Sequence, residues 1–144
     1  MSSMNPNSMD AQNVNWLLSS FVAKTHGVQG AIGVSSDGLL MAISADLDRA
    51  TADRFAAIVS GMTSLADGAS RALDMGGLDQ VIIEMRHGYL FISHVSGGSS
   101  VGVIADRDAD IGLVGYEMTL LVQRFGSVLT PALISELQGT LALT

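Results

Sequence analysis

Between residues 78 and 105 three apolar runs, Leu78–Met85, Tyr89–Ser96 and Ser99–Ala105, are separated only by Arg86-His87-Gly88 and Gly97-Gly98. Parallel neighbours need a crossover of a dozen residues or more, so connections this short force an antiparallel meander. Upstream, Val28–Ser35 and Leu39–Ser44 flank a turn centred on Asp37-Gly38. A two-residue type I′ turn there sets Ser36 opposite Leu39, Val34 opposite Met41 and Ile32 opposite Ile43. It requires positive φ at both turn residues. The turn accounts for the Asp37 carboxylate, which has no histidine or metal partner nearby in the chain.

Helical patterns frame these strands. Val14, Leu17, Leu18 and Phe21 recur at i, i+3, i+4, i+7 within Asp10–Thr25, and Gly27 stops the pattern. A long helix runs from Asp48 to Asp74, with Gly76-Gly77 as its C-terminal punctuation. Ile111, Val114, Met118, Leu121, Val122, Phe125 and Leu129 mark a third helix, and Thr130-Pro131 starts a last short helical turn. Val81-Ile82-Ile83 and Leu90-Phe91-Ile92 are apolar on both faces, so helices cover the sheet on both sides. The chain reads as one α+β domain over residues 13–130, with a flexible polar tail at 1–12 and a short helical extension at 131–144.

Composition removes several function classes. The seven basic residues stand singly against a net charge of −7, so there is no stripe to meet a polyanion and nucleic acid is excluded as a partner. Cysteine is absent, which removes disulfides, thiolate metal sites and thiol catalysis and fits a cytoplasmic setting. No apolar run approaches the ~18 residues of a membrane span. The first dozen residues have neither the basic nor the apolar part of a signal peptide.

The motifs that suggest chemistry fail on context. Gly98-Ser99-Ser100-Val101-Gly102 fits G-x-S-x-G but leads from a turn into a strand, whereas a nucleophile elbow leads from a strand into a helix. Asp106, Asp108, Asp110 and Glu117 fall at positions 1, 3, 5 and 12 of a calcium loop, but Ile111 stands where that loop needs glycine. Asp108 or Asp110 is better read as the cap of the third helix. No phosphate-binding loop is present, and His26, His87 and His94 lack ligand spacing. The expectation is a non-enzyme with no cofactor and no metal.

Two features suit contact with other chains. Ala57, Gly61, Ser64 and Gly68 form a stripe of small residues on the second helix, beside a face carrying Ile58, Leu65 and Leu73. Glycine inside a helix costs about 1 kcal/mol relative to alanine. Such a stripe packs tightly on the protein's own sheet or against the same helix of a second copy. Trp16 projects from the first helix opposite its apolar stripe, as a partner contact or as a ring covered by the N-terminal tail.

An ordered set of segments resembles the roadblock/LC7 family, and most closely its stand-alone bacterial members encoded beside Ras-like GTPases. The segments are Asn15-Trp16-Leu17-Leu18, Val34-Ser35-Ser36-Asp37-Gly38-Leu39-Leu40, Ser60-Gly61-Met62-Thr63-Ser64-Leu65-Ala66, Gln80-Val81-Ile82-Ile83-Glu84-Met85, Gly88-Tyr89-Leu90-Phe91 and Asp110-Ile111-Gly112-Leu113-Val114-Gly115-Tyr116-Glu117-Met118. The resemblance implies a profilin-like, five-stranded antiparallel sheet with the second helix on one face and the first and third on the other. It also implies a homodimer that binds and regulates a Ras-like small GTPase, in modules that include a membrane sensor-kinase-like protein. Recruitment to the inner face of the membrane would then run through partners.

With no proline or lysine guarding it, Val81, Ile82 and Ile83 make the run at 78–85 the expected pairing edge of that dimer. The competing reading is a PAS-like small-molecule sensor, which wraps helices round a similar sheet.

Overall fold

The computed structural model describes residues 9–143. Its elements run α1 (Met9–Lys24), β1 (Val28–Val34), β2 (Leu40–Ile43), α2 (Arg49–Ala72), β3 (Gln80–Met85), β4 (Gly88–His94), β5 (Ser100–Asp106), α3 (Ile111–Val128) and α4 (Pro131–Ala142). The five strands form one antiparallel sheet in the order β2-β1-β5-β4-β3. The predicted α+β arrangement is therefore present. The tail expected at 1–12 lies mostly outside the described residues.

Two cores flank the sheet. Val14, Leu18 and Phe21 of α1 join Val114, Met118 and Phe125 of α3 over Phe91, Val101 and Val103. On the other face Phe55, Ala56 and Val59 of α2 pack on Ile32, Val34 and Ile92. Gly102, at the centre of β5, makes this second contact possible. A Cβ there would lie 2.8 Å from Val59 Cγ2 and 3.0 Å from Phe55 Cζ. The glycine of the rejected G-x-S-x-G pattern thus admits α2 to the sheet, and Ser100 is a buried strand residue.

The first hairpin differs from the expected turn. Ser36, Asp37 and Gly38 form a three-residue loop in which Gly38 N–H donates to Ser35 O at 2.9 Å and Ser35 N–H to Leu39 O at 2.9 Å. Only Gly38 has positive φ, at +81°. A type I turn followed by a left-handed glycine suits the strand twist without forcing Asp37 into a left-handed conformation. Ile32 faces Ile43 as predicted, but Val34 faces Leu40, because the register shifts between Gly33 and Val34. Asp37 instead accepts a short hydrogen bond from the Ser35 hydroxyl, which lowers its carboxyl below the usual value.

Two further boundaries move. The β3–β4 turn holds only Arg86 and His87 between Met85 and Gly88, so Val81 faces Ile92 and His94 lies past the end of β3. There the His94 backbone N–H donates to Asp79 O at 3.1 Å. The second helix ends not on glycine but on Asp74, at φ +53°. Asp74 N–H bonds to Arg71 O (3.3 Å) and Met75 N–H to Ser70 O (2.9 Å), the paired bonds of a Schellman motif.

Asp110 caps α3, accepting from Leu113 N–H at 3.1 Å, and Thr130 caps α4 in the same way through Leu133 N–H. α4 is longer than the expected single turn, at 12 residues. Leu133 and Leu137 enter the α1/α3 core, while Leu141 packs against the α2 core. The helix therefore crosses the sheet edge at β2 and covers it.

Candidate functional site

α2 has 24 residues, about 36 Å of helix. Its buried residues, Ala52, Phe55, Ala56 and Val59, all lie in the first half. Beyond them the helix leaves its own sheet. Outside α2's own backbone, a Cβ added at Gly61 or Gly68 would have no atom of the described residues within 4 Å, so these glycines do not pack against the sheet. Ala57, Gly61 and Ser64 are exposed and Gly68 is half-buried. Leu65 on the same half is 71% exposed, and Ile58, Leu73 and Met75 are exposed too.

β3 borders this helix half. Its one strand neighbour is β4, so the outer backbone groups of Gln80–Met85 face away from the sheet unpaired by any described strand. Val81 packs against the α2 core and Ile83 shares its face, both half-buried; Ile82 points to the α3 side, opposite Phe91, and is exposed. The structure thus brings Gly61, Ser64 and Gly68 to the same side of the sheet as Val81 and Ile83, and sets Ile82 on the other. With α4 over β2, β3 is the uncovered edge of the sheet.

Clefts under the free half of α2 belong to this surface. One, of about 420 Å³, is lined by Ser36, Thr63, Ser64, Asp67 and His94; the next, of about 340 Å³, by Ala66, Ser70, Leu73 and Met75. Thr63 Oγ1 and Ser70 Oγ are buried along this seam with no hydrogen-bond partner. An orphaned buried hydroxyl costs about 1–3 kcal/mol. The apolar residues Ile58, Leu65, Leu73 and Met75 were not singled out as site residues from the sequence. Ile58, Leu65 and Leu73 recur at seven and eight residues, a spacing that is equally the signature of a core face, and Met75 falls outside it.

Two of the four carboxylates in the calcium-like run are engaged locally: Asp106 accepts from Asp108 N–H at 2.8 Å, and Asp110 caps α3. Among the described residues no group of three His, Asp or Glu side chains is placed to hold a metal ion. Hydrogen bonding from Thr51 lowers the Asp48 carboxyl at the α2 N-cap, and Glu84, 2.8 Å from Arg107, raises that guanidinium. The ion pairs Arg49–Asp53, Arg71–Asp67 and Arg107–Glu84 are exposed and contribute little. No single described helix is long and apolar enough to cross a membrane. Trp16 is 60% exposed, with the Lys24 ammonium 5.7 Å from its ring centroid.

A five-stranded antiparallel sheet between helical layers, with a long helix alone on one face, defines a profilin-like α+β domain. The Roadblock/LC7 domain family model matches residues 14–105, and the chain belongs to that family. It is similar to a Roadblock/LC7 domain from Streptomyces avermitilis, with 36% identity and a TM-score of 0.73 over 77% of this chain and 92% of that one. MglB of Myxococcus xanthus shares the fold at 15% identity, with a TM-score of 0.73 over 81% of this chain and 94% of that one. An uncharacterized protein of Methanocaldococcus jannaschii is 30% identical over 97 residues, 66% of this chain and 82% of the relative. The roadblock fold takes the place of the PAS-like alternative.

Proposed function

We propose that this chain is a non-catalytic, homodimeric scaffold and regulator that binds a Ras-like small GTPase and biases its nucleotide state in a bacterial signalling module. The observation that carries the dimer is the coincidence, on one side of the molecule, of the open β3 edge and the unpacked half of α2. A largely apolar edge strand that carries no proline or lysine is an aggregation hazard unless it is paired. Antiparallel pairing of β3 with its copy continues the sheet across a two-fold axis, and the two α2 helices then approach along Gly61, Ser64 and Gly68. The larger side chains, Leu65 and Met75, would be covered by the same association.

The GTPase reading rests on the chain's membership of the roadblock/LC7 family. Its setting is the cytoplasm, with recruitment to the inner membrane face through partners such as a sensor-kinase-like protein. A regulator must bind the nucleotide states of its partner unequally in order to shift them. Calorimetric titration with candidate Ras-like small GTPases, loaded with GDP or with a GTP analogue, is expected to find one that binds with different affinities in the two states. Equal affinities would reduce the chain to a passive scaffold, and no binding in either state would remove the GTPase reading.

A further inference from the structure

The exposed apolar residues of α2 and β3 are accounted for by self-association, but Trp16 of α1 and Leu113 and Tyr116 of α3 are not. These helices lie side by side on the face opposite α2. A narrow cleft of about 60 Å³ opens between them, with Leu17, Phe21, Leu120 and Leu121 in its walls and Lys24, Glu117 and Arg124 along it. Neither Lys24 nor Arg124 stands in an ion pair among the described residues. On a chain of net charge −7, two cations against the one Glu117 carboxylate leave this cleft net positive beside apolar surface.

We propose that the α1–α3 cleft is a docking site for an acidic amphipathic helix of a partner protein. The cleft is too small for a cofactor-sized ligand and suits one aliphatic side chain, the kind of anchor that dominates a helix-in-groove contact. Carboxylates flanking that anchor meet Lys24 and Arg124, and the helix flank covers the Trp16 ring. Glu117 and Arg124 lie seven residues apart on α3, about 10 Å along its axis, so the cleft presents both signs in a fixed order. A helix can match that order at turn spacing, whereas a uniformly anionic lipid surface would meet Glu117 with like charge.

Trp16 is the only tryptophan and reports on this face directly. A synthetic amphipathic helix with leucines on one face and flanking glutamates should shift Trp16 emission to the blue, with binding that weakens as salt is raised. The Lys24→Glu/Arg124→Glu variant should lose about tenfold in affinity for it and gain for the same peptide with lysines in place of the glutamates. Circular dichroism and sedimentation of the variant check that fold and self-association are retained. An unshifted Trp16, or equal binding by the charge-reversed variant, would overturn the proposal. So would a shift produced by phosphatidylserine vesicles but not by the peptide, which would make the face a membrane contact, or one produced by raising the protein concentration alone, which would assign it to a second copy.

Discussion

Gln138 of α4 donates a 2.8 Å hydrogen bond from Nε2 to Ser35 Oγ, 103 residues earlier, at the foot of the first hairpin loop. Ser35 in turn donates its single hydroxyl proton to Asp37, so one serine joins the C-terminal helix to the hairpin loop. Replacing Gln138 with alanine should cost about 1 kcal/mol, and Ser35→Ala somewhat more, because that change removes both bonds. In urea titrations the double variant should cost less than the sum of the two, since they share a partner. Strict additivity would mean that the link contributes nothing.

The same loop sets a pH dependence. The Ser35 hydroxyl, with help from the Leu39 backbone, holds the Asp37 carboxyl below its ordinary 3.8. A depressed carboxyl contributes stability that is complete above the unfolded-state value and disappears as the pH falls through the folded-state value. Stability should therefore decline below about pH 4, and the decline should be shallower in Asp37→Asn. An unchanged acid limb in that variant would assign the decline to other carboxylates.

Asp74 stands in a left-handed conformation that glycine adopts without strain, inside an intact Schellman motif. Asp74→Gly should stabilise the chain by about 0.5–1 kcal/mol without changing its oligomeric state. A loss of stability in chemical denaturation would show that the aspartate contributes an interaction outweighing its strain.

At Gly102 the opposite holds. A methyl group would press on Val59 and Phe55, so Gly102→Ala should destabilise by about 1–3 kcal/mol. Adding Val59→Ala should return part of that loss by opening the contact. If the single substitution were neutral by thermal melting, α2 would have to sit farther from β5.

Gly61→Leu with Ser64→Leu should leave the protomer folded, since outside α2's own backbone no atom of the described residues lies within 4 Å of a Cβ at Gly61, and Ser64 is exposed. In a dimer with close α2 helices the bulk forces them apart, and sedimentation equilibrium should show dissociation at concentrations where the native chain is dimeric. A native chain that sediments as a monomer at micromolar concentration would end the dimer reading. An undisturbed dimer in the double variant would place the contact elsewhere.

What the sequence determined by itself was the type and order of the elements, which neighbours a few residues apart govern. The meander followed from the brevity of its connections, the Thr130 cap and the choice between Asp108 and Asp110 from their position before apolar periodic runs, and the three helices from i, i+3, i+4 spacing; the structure selected Asp110. The ordered segments also carried the family. Finer local geometry was less legible, because Asp-Gly serves a three-residue loop with a left-handed glycine as well as a two-residue turn, and Asp74 occupied a position where glycine was expected.

Tertiary structure decided which apolar faces are cores. Leu18 and Leu65 both read as members of a helical stripe, yet one is fully buried and the other largely exposed. Burial depends on whether a strand distant in the chain lies beneath the residue, and α2 outruns the sheet that β1 and β5 form by pairing across some 70 residues of chain. The β3–β4 hairpin brought Asp79 beside His94, and the strand order set by the β1–β5 pairing left β3 at an edge. α4 closed the other edge by sending Leu137 to one core and Leu141 to the other. Hydrophobic periodicity states that a face must be covered; only the assembled fold shows whether the chain covers it itself.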